Sequence, residues 1–261
     1  MRKAIIDLRV SHSEWVGSRC VLLRLRPVEG HLPECRPGQF AQLRVDAPGV
    51  FLRRPVSIHD VEGDEVSFLV QKVGEGTRWI SQLQAGDVLN AVMPLGNGFS
   101  LPRQGRVLLV GGGVGVAPLF YQGRVLKQRG VPFAFLLGAR TKDLLLRLDA
   151  FRALGEVFVT TEDGSEGESG FVTQHSVLRG GDGKENEGAI SLIQTCGPTP
   201  MMRAVARYAQ ERNIVCELSL ENHMACGIGA CLCCVQQTTE GHKCVCTDGP
   251  VFDSEYIIEH L

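Results

Sequence analysis

The chain has 261 residues, of which 44% are hydrophobic and 21% are charged, and its formal net charge is −2. That length accommodates about two ordinary domains and a small module. The apolar and charged fractions exclude a disordered chain and indicate a globular one, and the 31 glycines indicate many tight turns. The near-neutral charge gives no reason to expect a nucleic-acid partner, and no apolar run approaches the roughly 18 residues that a membrane span requires.

Short strands separated by Gly/Pro turns dominate the first hundred residues. Apolar and polar residues alternate with period two over 21–25, 40–45 and 65–71, which is typical of half-buried strands. Several such strands at near-regular spacing favour a small antiparallel β-barrel. We therefore predict a barrel over residues 1–100.

Two features of this barrel favour a diphosphate ligand. In Arg54-Pro55-Val56-Ser57 the guanidinium can bind a pyrophosphate bidentately, and the serine can offer a hydroxyl to a ring nitrogen. The plainer alternative is a solvated arginine beside a turn serine. Gly76-Thr77 follows the strand that ends near Gln71, and we expect Thr77 to cap a helix over 78–83 whose first N–H groups attract an anion.

Strands and helices alternate over residues 101–215. An apolar strand over 106–110 runs into a glycine-rich loop and then a helix from about Pro118 to Gly130. We predict further strands over 133–137, 157–159 and 190–193, and further helices over 144–154, 172–178 and 198–211. This alternation predicts a parallel sheet with both faces covered. The polar stretch 180–188 is typical of a surface loop.

The predicted sheet carries a nucleotide-binding pattern at the ends of two strands, where open α/β sheets bind ligands. The residues concerned are Gly111, Gly112, Gly113, Gly115, Cys196 and Gly197. Val116 replaces the third glycine of G-x-G-x-x-G, and no acidic ribose-binding residue follows the second strand, which disfavours a standard dehydrogenase fold. The alternative to nucleotide binding is that both segments are ordinary turns between a strand and a helix. The carboxylates of Glu162 and Asp163 would repel a 2′-phosphate and so favour NADH over NADPH.

Six of the ten cysteines lie between Cys226 and Cys246. Cys226, Cys231 and Cys234 have the spacing C-x4-C-x2-C of plant-type [2Fe–2S] centres, and Gly227 and Gly229 allow the loop to wrap around a cluster. Spacing alone permits either Cys244 or Cys246 as the fourth ligand. Structural zinc would favour two C-x2-C knuckles, and no second knuckle follows. The N-terminus has no secretory h-region, so disulfides are disfavoured and we expect a cytoplasmic protein.

The chain resembles the ferredoxin reductase superfamily in four motifs, which are Arg54–Ser57, Gly76-Thr77, Gly111–Pro118 and Cys196–Met202. Its cysteine-rich tail, through Cys246-Thr-Asp-Gly-Pro, is similar to that of the electron-transfer subunits of class 1B dihydroorotate dehydrogenases. The resemblance implies a multi-domain chain: an FAD-binding β-barrel (1–100), an NAD-binding α/β domain (101–215) and a [2Fe–2S] module (216–261). It implies that FAD contacts Arg54, Pro55, Val56, Ser57, Leu69, Val70, Gln71, Gly76 and Thr77. It also implies cluster ligation by Cys226, Cys231, Cys234 and Cys246, the last chosen by the Cys-x-Asp-Gly-Pro motif.

The function implied by the resemblance is electron transfer in pyrimidine biosynthesis between NAD(H), as substrate, and an FMN-containing catalytic subunit, through FAD and the cluster. We expect a heterotetramer with two copies of each subunit. No stretch remains for an FMN-binding barrel of about 250 residues, so dihydroorotate chemistry is expected on the partner, and we assign no catalytic residue to this chain. The rival of the same build is the small subunit of an NADP-dependent ferredoxin reductase or a hydrogenase gamma subunit. A rival of another class is a zinc-stabilised nucleotide sensor.

Overall fold

The structure is a computed structural model that describes residues 3–102, 104–179, 189–257, 259 and 261. The predicted loop over 180–188 lies outside the described residues. The chain forms two compact units. Unit 1 contains residues 1–98, 220–237 and 241–251, and unit 2 contains residues 99–219, 238–240 and 252–261. No described helix has the length and apolar character needed to cross a membrane.

Six antiparallel strands close the predicted barrel within unit 1. The strands are β1 (Ala4–Val16), β2 (Cys20–Pro27), β3 (Phe40–Leu43), β4 (Arg54–Glu62), β5 (Glu65–Gln71) and β6 (Val88–Leu95), with helix α1 (Glu75–Ile80) between β5 and β6. The barrel order is β1-β2-β5-β4-β3-β6. Its interior is filled by side chains such as Leu8, Leu23, Phe68 and Leu89, all at most 1% exposed. The predicted barrel is confirmed.

The sequence placed the start of α1 too late. We predicted Thr77 as the N-cap of a helix over 78–83, but the helix begins at Glu75 and Gly74 is its N-cap. Gly74 takes an extended conformation, and the Thr77 hydroxyl accepts the N–H groups of Val73 and Gly74 at 3.0 and 3.1 Å. The Thr77 side chain therefore caps the N-terminus of α1, although Thr77 itself lies in the first turn of the helix.

A seven-stranded sheet organises unit 2. In chain order the elements are β7 (Arg106–Gly112), α2 (Ala117–Gln128), β8 (Phe133–Ala139), α3 (Leu148–Leu154), β9 (Glu156–Thr161), β10 (Glu168–Ser169), α4 (Ser176–Arg179), β11 (Ile190–Cys196), α5 (Thr199–Glu211) and β12 (Val215–Ser219). A hairpin of β13 (Val235–Thr238) and β14 (Gly241–Cys244), strand β15 (Val251–Asp253) and helix α6 (Ser254–Ile257) complete the chain.

The order of the large sheet is β10-β9-β8-β7-β11-β12-β15. The pairs from β10 to β12 are parallel, as predicted. The predicted helix over 144–154 is wrong in its first half, because Arg147 adopts φ 55° and α3 begins only after it. Similarly, 172–178 divides into a single 3₁₀ turn over 172–174 and the short α4, separated by His175 in extended conformation.

Candidate functional site

The cysteine-rich loop directs backbone N–H groups at thiol sulfurs. Cys226 Sγ accepts the N–H groups of Ile228 and Cys231, both at 3.4 Å. Cys246 Sγ accepts the N–H of Gly229 at 3.2 Å, and Cys234 Sγ accepts the N–H of Cys246 at 3.4 Å. Sulfur accepts such bonds best as thiolate, which is also its metal-binding form. The loop therefore has the donor set of a thiolate-ligated cluster.

Glycine conformation makes this wrapping possible. Gly227 and Gly229 have φ of +70° and +84°, which L-residues with a Cβ rarely adopt. The N–H groups that follow Gly227 and Ile228 thereby turn toward the sulfurs. The positive φ values agree with the conformational freedom that the sequence predicted for the two glycines, and their role at a cluster stays a prediction.

The local environment divides the thiols into two kinds. Hydrogen bonds from the Ile228 and Cys231 N–H groups lower the pKa of Cys226 to about 6, so this thiol ionises readily. Burial, reinforced by Cys234, raises the pKa of Cys246 to about 12. A thiol with a raised pKa loses its proton when a metal ion binds it. Both environments are compatible with ligation by iron.

Burial separates two of the four candidate ligands from their neighbours in sequence, whereas Cys231 is exposed and Cys226 is half-buried. Cys234 and Cys246 are 2% and 0% exposed, whereas Cys233 is exposed and Cys244 is half-buried. The backbone N–H of Cys244 donates to the Asp248 carboxylate at 2.7 Å. In the part of the chain that the structure describes, no three His, Cys, Asp or Glu side chains converge to hold a single metal ion. The choice of Cys226, Cys231, Cys234 and Cys246 stays a prediction.

The loop lies against the barrel within unit 1. A Cβ on Gly227 would be 2.7 Å from Gln42 Cγ and 3.2 Å from Leu95 Cδ1. Asn97, which follows β6, holds the turn after Cys246: its Nδ2 donates to the carbonyl oxygens of Asp248 and Val251 at 2.8 and 3.0 Å. Its Oδ1 accepts the Val251 N–H at 3.1 Å. The sequence suggested neither contact, because the partners lie far along the chain.

On the barrel, the predicted flavin residues share one end of the β4–β5 pair. Arg54, Pro55, Val56 and Ser57 open β4, while Leu69, Val70 and Gln71 close β5, and the two strands are antiparallel. The Arg54 guanidinium packs over Gly76, where a Cβ would lie 2.4 Å from Nε. Only glycine allows this approach, and Thr77 adjoins it in the first turn of α1.

The neighbouring arginine has a different role. Arg53 donates to the carbonyl oxygens of Gln42 and Asn90 and to Asn90 Oδ1, so its guanidinium holds β3 and β6. The Arg54 guanidinium donates to the Leu52 carbonyl at 2.6 Å and remains more accessible. Of the two, Arg54 is the one that suits a diphosphate.

In unit 2 the predicted nucleotide residues meet at the sheet's carboxyl edge. Strands β7 and β11 are parallel neighbours, with Gly111 opposite Cys196, and the strand order reverses between them. That reversal is the topological switch point at which open α/β sheets bind ligands. A Cβ on Gly115 would lie 2.5 Å from the Cys196 carbonyl oxygen.

The same edge includes Gly112, Gly113 and Gly197. A Cβ on Gly112 would lie 2.6 Å from Met201 Sδ in α5, and Gly113 has φ +58° with open space beside its Cα. Asp163 follows β9 at the same edge, and hydrogen bonds from Ser165 lower its pKa, which fixes a negative charge there. The predicted residues therefore form one glycine-lined edge.

Comparisons with known proteins agree with this geometry. The iron–sulfur cluster binding domain of dihydroorotate dehydrogenase B matches residues 221–258. The electron transfer subunit of dihydroorotate dehydrogenase B (NAD(+)) of Bacillus velezensis is 42% identical over 98% of this chain and 99% of its own. That of Caldanaerobacter subterraneus subsp. tengcongensis is 43% identical over 85% of this chain and 87% of its own. This chain belongs to the family of dihydroorotate dehydrogenase B electron transfer subunits.

Solved structures place the family's fold in a wider group. A chain of the NADH-dependent reduced ferredoxin-NADP oxidoreductase superposes with a TM-score of 0.83 and 31% identity, covering 97% of this chain and 91% of that one. The ferredoxin reductase of carbazole 1,9a-dioxygenase has a TM-score of 0.68 and 20% identity over 82% of this chain and 67% of its own. At 20% identity, the similarity to the carbazole dioxygenase reductase shows a shared fold alone. The ferredoxin reductase-like fold is confirmed.

Proposed function

We propose that this chain passes electrons between NAD(H) and the FMN-containing catalytic subunit of a dihydroorotate dehydrogenase, in pyrimidine biosynthesis. Membership of the family shows the general role of the chain. It is an electron-transfer subunit of a flavin and iron–sulfur oxidoreductase that uses FAD, a [2Fe–2S] cluster and NAD(H) and works with a catalytic partner. The identity of the partner and the residues at each cofactor site are part of our proposal. We place the protein in the cytoplasm, whose reducing conditions keep cysteines available as ligands.

The observation that carries the proposal is the set of N–H groups directed at Cys226, Cys234 and Cys246. With Cys231 these thiolates would hold the cluster, which supplies transfer of single electrons. The chain's own part is to keep the sulfurs hydrogen-bonded and partly buried, since both properties set the reduction potential of such a centre.

The barrel supplies the flavin site. Arg54 lies over Gly76, and its guanidinium would bind the diphosphate of FAD with the N–H groups of the Gly76-Thr77 turn. Pro55, Val56 and Ser57 would line the flavin from β4, and Leu69, Val70 and Gln71 from β5. Bound FAD supplies the conversion between two-electron hydride transfer and one-electron transfer.

The switch point of unit 2 supplies the site for the pyridine nucleotide. Gly111, Gly112, Gly113 and Gly115 would allow its backbone to approach closely, and Cys196 and Gly197 complete the edge. The fixed negative charge of Asp163 favours NADH over NADPH, because it repels a 2′-phosphate. None of these residues has to act as an acid or base, since hydride and electron transfer need no proton relay from this chain.

The partner's docking surface includes the cysteine-rich loop. Ile228 and Leu232 are 52% and 63% exposed beside the ligand candidates Cys226 and Cys231. Apolar side chains exposed next to a redox centre favour docking of a protein over contact with water alone. The partner would be the FMN-containing subunit that oxidises dihydroorotate, in a heterotetramer of two copies of each chain.

One observation supports a second candidate function, that of a subunit of the same build with a different partner. The NADH-dependent reduced ferredoxin-NADP oxidoreductase chain is 31% identical over almost the whole length, so the same build serves another partner there. The dihydroorotate dehydrogenase B relatives are 38–43% identical, which favours the first assignment. Capture of an FMN protein by the tagged chain supports it, and capture of an iron–sulfur protein instead supports the second candidate.

The experiment is a visible spectrum of the anaerobically purified chain before and after NADH, with assays of iron, acid-labile sulfide and flavin. We expect two irons, two sulfides and one FAD per chain, and bleaching on addition of NADH. The partner is then supplied with dihydroorotate and NAD⁺. Zinc without iron would support the nucleotide-sensor alternative and overturn the proposal, and oxidation of dihydroorotate by this chain alone would contradict the division of labour.

A further inference from the structure

One side chain between the barrel and the cysteine-rich loop has unmet hydrogen-bonding capacity. Gln42, in the middle of β3, is fully buried. Among the residues that the structure describes, neither its Nε2 nor its Oε1 has a hydrogen-bond partner. A buried carboxamide without partners is unfavourable, so a partner outside the polypeptide is expected for a residue kept at this position.

The surroundings of Gln42 identify where that partner lies. Its side chain contacts Gly227, the residue after Cys226: a Cβ on Gly227 would be 2.7 Å from Gln42 Cγ and 3.0 Å from Nε2. Gly227 thus leaves room for the carboxamide directly against the cysteine-rich loop.

The same residue also adjoins the flavin-binding strand. In the β3–β4 ladder Gln42 is opposite Pro55, one residue after Arg54, and its carbonyl oxygen accepts a hydrogen bond from Arg53 at 3.2 Å. Its backbone is therefore fixed by the strand that carries the flavin residues, while its side chain meets the cluster loop.

The chemistry of the loop decides which atom of Gln42 is used. Thiolates and inorganic sulfides accept hydrogen bonds and do not donate them, and a carboxamide NH₂ provides two donors. The loop's own donors, the N–H groups of Ile228, Gly229 and Cys231, are directed at Cys226 and Cys246. A side-chain donor from the barrel adds to them.

We propose that Gln42 is a positioning residue of the redox centre, whose Nε2–H donates to a sulfur of the [2Fe–2S] cluster or of its Cys226 ligand. The inference rests on the proposed function. Hydrogen bonds to cluster sulfurs stabilise the reduced, more negative state and raise the reduction potential. Gln42 therefore sets the potential of the cluster from the strand beside the flavin.

The test compares two near-isosteric variants in the cluster-loaded chain. Gln42→Met removes the donor, and Gln42→Glu replaces it by an acceptor. We expect the midpoint potential of the cluster to fall in the order wild type, Met, Glu. The equilibrium constant for one-electron reduction falls roughly tenfold for Gln42→Met, which corresponds to about 59 mV. Iron, sulfide and FAD contents of Gln42→Met stay at the wild-type level.

A matched control is available in unit 2. Gln122 is also buried, but its Nε2 donates to the Ser100 carbonyl and to Gln194 Oε1 at 3.0 and 2.7 Å. Gln122→Met therefore changes a buried glutamine without touching the cysteine-rich loop, and we expect the cluster potential to stay at its wild-type value.

Pulsed EPR gives a readout that a merely structural role would not change. With ¹⁵N in glutamine side chains, the reduced wild-type cluster is expected to show a ¹⁵N coupling that Gln42→Met lacks. An intact cluster with the same potential and the same coupling in Gln42→Met overturns the inference and leaves the proposed function standing. A wild-type chain without iron and sulfide overturns both.

Discussion

Cys234 and Cys246 are both buried, while Cys233 beside the first and Cys244 near the second are more accessible. The thiols of each pair are close in sequence, so spacing alone separates them poorly. Burial therefore favours Cys234 over Cys233 and Cys246 over Cys244, whereas the exposed Cys231 and the half-buried Cys226 are chosen by their spacing.

The first prediction uses these pairs as matched variants. Cys234→Ser and Cys246→Ser are expected to lose most of the iron and sulfide, because a serine hydroxyl is a poor substitute for a buried thiolate. Cys233→Ser and Cys244→Ser are expected to retain both. Iron and sulfide analysis with the visible spectrum of each variant is the measurement. Full iron content in Cys246→Ser with loss in Cys244→Ser would reverse the assignment of the fourth ligand.

The second prediction concerns the contact between Arg54 and Gly76. Gly76→Ala places a Cβ where the Arg54 guanidinium lies, so the arginine has to move away from the site that we propose for the FAD diphosphate. We expect at least a tenfold weaker affinity for FAD, about 1.4 kcal/mol, measured by titration of the apoprotein. Gly63→Ala is the control for general loss of barrel stability, because its Cβ meets open space while its φ of +58° makes alanine mildly strained at this turn. Equal FAD affinity in Gly76→Ala and wild type would contradict the site.

Among the elements, the turn after Cys246 depends on one residue of the barrel. Asn97 makes three side-chain hydrogen bonds to Asp248 and Val251. Asn97→Ala is expected to cost about 1–2 kcal/mol, since each such bond contributes roughly 0.5–1.5 kcal/mol and the site is partly exposed. Chemical denaturation checks the stability, and the rate of cluster loss in a chelator is expected to rise.

A control for Asn97 exists in the same unit. Asn222 makes a single 3.4 Å contact with Gln236, so Asn222→Ala is expected to change stability by only a few tenths of a kcal/mol. If both variants release iron at the wild-type rate, the turn is held by other contacts.

The second element-scale prediction is a pH dependence that originates in unit 2. Burial lowers the pKa of His175, only partly offset by Glu168, and the His175 Nδ1 accepts the Val177 N–H at 3.0 Å in its neutral form. The folded state thus binds this proton less readily than the unfolded state. The stability that His175 contributes is complete above its ordinary pKa of about 6.5 and is lost as the pH falls through the lower folded value.

The measurement is the free energy of unfolding between pH 7.5 and about 5. We expect His175→Gln to flatten the decrease below pH 6.5, whereas His12→Gln, on an exposed strand position of the barrel, leaves it unchanged. An identical slope in wild type and His175→Gln would contradict the assignment.

The sequence predicted the elements well where local patterns determine them. The period-two runs gave β2, β3 and β5, and the apolar run before the glycines gave β7. It failed at Thr77 because the Thr77 hydroxyl binds the Val73 and Gly74 N–H groups from inside the helix, a local arrangement that residue types alone do not distinguish from an ordinary N-cap. It failed at Arg147 because no local pattern records its left-handed φ or the packing of its guanidinium over Phe120. Gln42 and Asn97 were missed for a related reason: the Asn97 hydrogen bond to Val251 joins residues 154 positions apart.

For the whole molecule, the exposed apolar residues of the cysteine-rich loop give the last prediction. Leu232 has φ 58°, a conformation that asparagine tolerates better than leucine, so Leu232→Asn removes the apolar contact without opposing the loop conformation. With Ile228→Ser we expect roughly tenfold or weaker binding of the catalytic subunit. Analytical ultracentrifugation or surface plasmon resonance measures this.

Cluster content and NADH-dependent bleaching are expected to stay normal in this double variant. Ile5→Thr, at an exposed position of β1, is the control and is expected to bind the partner as wild type does. Unchanged partner affinity in the double variant would move the docking surface elsewhere.

Unit 1 combines the barrel with residues 220–237 and 241–251, and residues 99–219 of unit 2 are inserted between the barrel and this cysteine-rich segment. A ribosome that adds about 5–20 residues per second therefore exposes the barrel for roughly ten seconds before residues 220–251 emerge. During that interval Asn97 lacks the backbone partners that it binds in the turn after Cys246. The cysteines proposed as cluster ligands therefore leave the ribosome after the residues proposed to bind FAD, and cluster assembly has to wait for them.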